Sequence, residues 1–213
     1  MQTSQVGNQR GSRLLITGGA GFVLSNVIHE WLSGDESATA IAFDLPRAWD
    51  DAARAFLEEF ISSGRLKFYA GSVVNEHDWS ALRKETCFLE PFTHVVSGAA
   101  LTPTTAEEAA GGGVASVMRV NLLGALHALE FARTYAPTCR FVLISSRAVS
   151  NYPRLITPRI EEEDMSTSID AYALSKWTGE QLVARYTELY SMDCCCVRYS
   201  SVFGRMDRDT GAR

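Results

Sequence analysis

Short apolar runs, each ending on a small or polar residue, recur along this chain with helix-spaced segments between them. The first run, Leu14-Leu15-Ile16, leads through Thr17-Gly18-Gly19-Ala20-Gly21 into a helical pattern that lasts to about Trp31 and ends near Ser33-Gly34. Ala40-Ile41-Ala42-Phe43 stops at Asp44, Leu66-Lys67-Phe68-Tyr69-Ala70 closes on Gly71-Ser72, and His94-Val95-Val96-Ser97-Gly98 runs into Ala99-Ala100. Arg140 to Ser145 ends in Ser145-Ser146, and Cys194 to Tyr199 is the sixth run. Runs of this length suit strands covered on both faces of a parallel sheet. Asp50 to Ile61, Val114 to about Tyr135 and Ala171 to Ser191 carry apolar residues at helical spacing. The Val114 helix is apolar on more than one face, through Val117, Val120, Leu123 and Phe131 but also Leu122, Leu126 and Leu129. That pattern predicts burial against a second subunit as well as against the sheet.

Strands alternating with helices predict an α/β fold, a Rossmann-like doubly wound parallel sheet with helices on both faces. The expected organisation is a flexible N-terminal segment at 1–12, a dinucleotide-binding domain at 13–204, and the start of a largely absent substrate lobe at 205–213. Thr102 to Gly113, polar and ending in three glycines, reads as a mobile loop. Ligands of such sheets lie beyond the carboxyl ends of the strands. Gly18 to Gly21, Asp44, Ser72, Ala99-Ala100, Ser145-Ser146 and Tyr199 all fall at those ends.

Composition narrows the function classes. The 213 residues are ordinary for a globular protein, and a formal charge of −5 argues against a general nucleic-acid or anionic-membrane binder. Met1 to Ser12 lacks the apolar core of a secretory signal, and no apolar run approaches the ~20 residues of a membrane span. Cys87, Cys139 and the run Cys194-Cys195-Cys196 lack the spacing of a zinc or redox motif, so the run reads as small buried apolar residues. His29, His77, His94 and His127 are scattered, and no metal site is expected. A reduced, cytoplasmic setting follows, with a small molecule as substrate.

The glycine turn then becomes informative. Glycines at 18, 19 and 21 allow a sharp turn and close ligand approach, and a helix starting beyond them aims free N–H groups at a phosphate. The dinucleotide spacing also asks for glycine at position 24, where this chain has Leu24. Asp44 ends the next strand, where a carboxylate accepts hydrogen bonds from an adenosine ribose and favours NAD over NADP; Arg47 nearby is the group that would meet a 2′-phosphate. Tyr172 and Lys176 stand one helical turn apart on one face, so the ammonium would lower the phenol pKa and make it a proton acceptor. Ser146, ending the preceding strand, would hydrogen-bond the same substrate oxygen. Asn121, polar within an apolar helix, would order a water or the lysine.

Thr17 to Val23, Asp44, Ala99-Ala100, Asn121 to Gly124, Ile144 to Ser146, Tyr172 to Lys176 and Arg198 to Gly204 together resemble the extended short-chain dehydrogenase/reductase family, whose members include NAD-dependent sugar-nucleotide epimerases and dehydratases. The resemblance runs in order across nearly the whole chain. It implies Ser146, Tyr172 and Lys176 as the catalytic set, with Asn121 supporting. It implies an NAD site lined by Gly18, Gly21, Phe22, Val23, Asp44, Ser72, Val73, Ala99, Ala100, Leu101, Tyr172, Lys176 and Tyr199. It also implies a homodimer through the helices 114–135 and 171–191. Five departures stand out: Leu24 for the third glycine, Ser72 for an aspartate, Tyr199 and Ser201 for proline and asparagine, Ser150-Asn151 for tyrosine-glycine, and a chain about a hundred residues short. They keep a second expectation open, a non-catalytic NAD(P)-binding sensor or partner subunit.

Overall fold

The computed structural model describes residues 11–87, 89–102, 113–150 and 170–207. Six strands form one parallel sheet: β1 (Arg13–Thr17), β2 (Thr39–Asp44), β3 (Leu66–Ala70), β4 (His94–Ser97), β5 (Arg140–Ser146) and β6 (Asp193–Tyr199). Their order is β3-β2-β1-β4-β5-β6, every pair parallel. The order therefore reverses between β1 and β4, and a crevice opens there above the strand ends. The six apolar runs became these six strands.

Alternation along each strand feeds two cores. Leu14 and Ile16 of β1, Ala40 and Ala42 of β2, Val96 and Ile144 meet α1 (Phe22–Gly34) and the short helices α2 (Asp51–Phe56) and α3 (Glu58–Ser62) on one face. Leu15, Ile41, Phe43, Val95, Phe141 and Leu143 point to the other face. There they meet α4 (Glu76–Thr86), α5 (Gly113–Tyr135) and α6 (Ala171–Tyr190). Strands buried on both faces explain why Leu14, Leu15 and Ile16 are at most 1% exposed.

Several expectations are revised. The single helix expected over Asp50 to Ile61 breaks at Leu57, which leaves helical geometry at φ −109°, ψ 11°. Helix α4 has no counterpart in the sequence reading, because it buries only Trp79, Leu82 and Thr86 and is otherwise polar. Its ends carry the usual signals: Asn75 accepts a hydrogen bond from the His77 N–H, acids open the helix, and Arg83 and Lys84 close it. Helix α5 is 23 residues long and by length and composition alone could cross a membrane, although Arg119, Asn121, His127, Glu130 and Arg133 interrupt its apolar residues. In this fold Val117, Ala125, Ala128, Leu129, Phe131 and Ala132 of α5 are buried. Cys194, Cys195 and Cys196 lie on the edge strand and are half-buried free thiols, with Cys194 and Cys196 packed against the core and Cys195 on the other face. Most of Thr102 to Gly113 lies outside the described residues, as do Met1 to Arg10, Asn151 and the end of the 205–213 segment.

Candidate functional site

The crevice at the strand reversal is a cleft of about 700 Å³. Gly18, Gly21, Phe22, Val23, Asp44, Ser72, Val73, Ala99, Ala100, Leu101, Tyr172 and Tyr199 line it, from five different strand ends and the helices that follow. Gly98, Ser116, Arg119 and Val120 line it too, and sequence reasoning missed these as site residues; Leu24, the departure from the fingerprint, also lines it. Arg119 had the better signal, since it lies two residues before Asn121 on the helix that follows β4. A second cavity, about 800 Å³, opens at the opposite ends of the strands around Arg13, Arg65 and Lys67, far from any of this chemistry.

The glycine turn is fixed by contacts that no side chain would permit. Gly18 has φ +76°, and a Cβ there would lie 2.8 Å from the Ala99 backbone. The Gly18 N–H donates to Phe43 O, the Gly21 N–H to Gly18 O, and the Ala20 N–H to Asp44 Oδ2 at 3.1 Å. The first helical bond of α1 is from the Ser25 N–H to Gly21 O, and no side chain caps the helix. The N–H groups of Phe22, Val23 and Leu24 are therefore left without a helical acceptor at the mouth of the cleft. Those donors, with the close backbone approach at Gly18, fit the pyrophosphate of a dinucleotide.

Asp44 is half-buried and its carboxylate is braced by two backbone donors, Ala20 N–H and Leu45 N–H. Burial pushes its pKa up, and the two N–H bonds pull it back. One carboxylate thus ties the end of β2 to the glycine turn while facing the cleft. Thr17 does the same work on the other side: its hydroxyl accepts from the Gly98 and Ala99 N–H groups, joining the ends of β1 and β4. The loop after β3 is held by Val73 O, which accepts from Trp79 Nε1 at 2.9 Å and faces His127 Nδ1 at 2.8 Å.

Tyr172 enters the cleft from the first turn of α6, a helix capped by Asp170, whose carboxylate accepts from the Ala173 N–H. The Ser146 hydroxyl hydrogen-bonds the Tyr172 phenol, and its oxygen also accepts from the Ala148 N–H. Lys176 lies one turn further on, only 4% exposed, with Nζ donating to Ile144 O at 2.8 Å. Its Nζ is 5.7 Å from the centre of the Tyr172 ring. The phenol was expected to have a lowered pKa. Here burial outweighs the Ser146 hydrogen bond and pushes it up, while burial pulls the lysine down to about 8. The i, i+4 spacing brought the two groups together as expected; depth in the fold, which spacing does not encode, reversed the direction.

Asn121 is buried behind the cleft. It lies on a π-helical turn, Arg119–Leu123, inside α5. Its carbonyl accepts from the Leu101 N–H, and its amide donates to Leu101 O and Ser175 Oγ. The side chain thus clamps the segment leaving β4 and ties it to Ser175, the residue before Lys176. Turns of this kind are concentrated at functional sites.

Behind the site, Glu180 accepts from the Ser145 hydroxyl and from Arg198 Nε and Nη2 at 2.8 and 2.7 Å. Ser145 lies between Ile144, whose carbonyl holds Lys176, and Ser146. The pair therefore locks α6 and β6 to the end of β5. No group of three or more metal-ligating side chains occurs among the described residues.

Comparison with known proteins bears on this geometry. A model of the "NAD dependent epimerase/dehydratase family" matches residues 14–213. CDP-paratose 2-epimerase of Salmonella typhi is 26% identical, covering 90% of this chain and 58% of that protein. Among solved structures, UDP-glucuronic acid 4-epimerase from Bacillus cereus, in complex with UDP-glucuronic acid and NAD, superposes with a TM-score of 0.73 at 20% identity, covering 93% of this chain and 60% of that one. dTDP-glucose 4,6-dehydratase from Bacillus anthracis, in complex with NAD, gives 0.68 at 22%, covering 88% and 54%. The chain spans about half the length of the relatives it matches.

Proposed function

The chain belongs to the NAD dependent epimerase/dehydratase family, and on that premise we propose that it holds NAD in the cleft above Gly18 and acts on a hydroxyl-bearing sugar, sugar nucleotide or sugar acid. The observation that supports this reading is that Ser146 and Lys176 meet Tyr172, which lines the same cleft as the glycine turn. Bound NAD would take a hydride from the substrate carbon and, in an epimerisation or dehydration, return it. Tyr172 receives the proton of the substrate hydroxyl, and Ser146 donates a hydrogen bond to the same oxygen. Lys176, fixed from below by Ile144 O, offers its remaining N–H bonds to the ribose and the phenol. Phe22 and Val23 N–H groups meet the pyrophosphate, Asp44 the adenosine ribose, Ser72 and Val73 the adenine side, and Ala99 to Leu101 with Tyr199 the wall opposite. Asp44 would repel a 2′-phosphate, so NAD is favoured over NADP.

Cofactor titration tests this directly. At 100 times its Kd, NAD should add ~2.7 kcal/mol to the stability of the chain, and NADP clearly less. Unchanged stability with both would overturn the reading. A second reading, an NAD-binding sensor or partner subunit without turnover, uses the same cleft and the same cofactor contacts. It predicts the NAD shift with no conversion of any sugar nucleotide.

Val114 and Tyr135 on α5 and Leu189 and Tyr190 on α6 are exposed large apolar residues. They support a homodimer through these two helices. Sedimentation at micromolar concentration should give twice the 23.4 kDa chain mass; a monomer would remove the proposal.

A further inference from the structure

In the dinucleotide fingerprint the third glycine lets the first helix close upon the sheet. This chain has Leu24 there, yet Leu24 does not hold the helix off. It is 5% exposed and packs among Ile16, Ile28, Val96 and Ile144. The room for it comes from the strand side. A Cβ on Gly98 would lie 2.2 Å from Leu24 Cδ1, 3.3 Å from its Cγ and 3.2 Å from Ile144 Cγ1. The leucine methyl thus occupies the volume that any side chain at position 98 would need.

Backbone conformation does not explain the glycine. The glycines with positive φ among the described residues are Gly18, Gly64, Gly113 and Gly204, and Gly98 is not one of them. What a side chain at position 98 would meet is the side chain of Leu24, whose terminal methyl would have to move, with Ile144 behind it. Gly98 is also tied to the turn, since its N–H donates to Thr17 Oγ1 at 3.0 Å and the next N–H shares that oxygen.

We infer that the small residue of the fingerprint has moved across the crevice, so that Leu24 and Gly98 form a size-matched pair that sets how closely α1 approaches the ends of β1 and β4. Through that distance the pair positions the Phe22, Val23 and Leu24 N–H groups, which makes Gly98 a positioning residue for the cofactor. The inference rests on the proposed NAD site. Its consequence runs against the sequence pattern: restoring glycine at position 24 leaves a void above Gly98, lets the helix shift, and weakens binding.

The test is a double-mutant cycle on the full chain with Leu24→Ala, Gly98→Ala and both together, plus Leu24→Gly. Two quantities are read for each: thermal stability without cofactor and NAD affinity by calorimetry. Gly98→Ala and Leu24→Gly should each weaken NAD binding by about tenfold or more, since small displacements of positioned groups are costly. Adding Leu24→Ala to Gly98→Ala should recover most of that loss, together with the lost stability, because residues in contact are non-additive. Additive effects would overturn the pairing. Coupled stability with NAD affinity unchanged in Leu24→Gly, or tightened, would overturn the positioning role and leave a packing contact only. If the wild-type chain binds no NAD, the proposed function fails on its own, and the stability cycle still decides whether the two residues are paired.

Discussion

Replacing Tyr172 by phenylalanine should remove turnover by a factor of ~10²–10⁴ while leaving the NAD-induced stabilisation largely intact. The ring stays in the cleft and only the hydroxyl leaves, so the loss isolates proton transfer from cofactor binding. Burial raises the phenol's pKa, the Ser146 hydroxyl pulls it back and the Asp170 carboxylate adds to the rise, so the phenol stays protonated beyond its ordinary range. The Lys176 amine lies 5.7 Å from the ring centre. Wild-type turnover should therefore rise as pH rises, because phenolate is gained, and the phenylalanine variant should lose that rise. Turnover within tenfold of wild type in Tyr172→Phe would take the residue out of the reaction. A screen of uridine-, cytidine- and thymidine-diphosphate sugars supplies the substrate for both measurements.

The second large effect concerns stability. Glu180→Ala should destabilise the chain by about 3–5 kcal/mol, because it strips a carboxylate from a largely buried ion pair and leaves the guanidinium behind. Glu180 is 9% exposed and receives three hydrogen bonds, two from Arg198 and one from Ser145. Arg198 keeps 23% of its side chain exposed, which places the expectation toward the lower end of that range. For a chain of this length the change corresponds to a drop in Tm of roughly 6–20 °C. Exchange of both partners for apolar residues of similar volume should cost far less, since no charge is then stranded. A loss below about 1 kcal/mol for Glu180→Ala would show that the pair is solvated and contributes little, as exposed pairs do.

The sequence exposed the sheet more readily than the helices. Strands buried on both faces leave continuous apolar runs, and Leu14 to Ile16 or Ala40 to Phe43 admit few other readings. The polar or small residue ending each run marks the crevice, so much of the lining of the cleft is legible in the sequence. Helix α4 was not, because three buried side chains in eleven residues make almost no periodic signal. The π turn at Arg119–Leu123 was also hidden: it depends on how Asn121 meets Leu101, a contact with a residue twenty positions away. Tyr172 and Lys176 were paired correctly by spacing, but the sign of each pKa shift follows from depth. Leu24 looked like a defect for a related reason. Its partner, Gly98, lies on another strand, and only the fold brings the two together.

The strand order has a consequence for how the chain is made. Strand β1 lies between β2 and β4, and Arg13 at its start pairs with Thr93, 80 residues later. At ~5–20 residues per second, ribosomal synthesis needs about 4–16 s to deliver that partner. Until then, the edge of β1 that β4 covers in the finished sheet has no partner, and it is flanked by Leu14, Leu15 and Ile16. Any strand formed at β1 before that point would carry an open, apolar edge, which closes only when His94 to Ser97 becomes available.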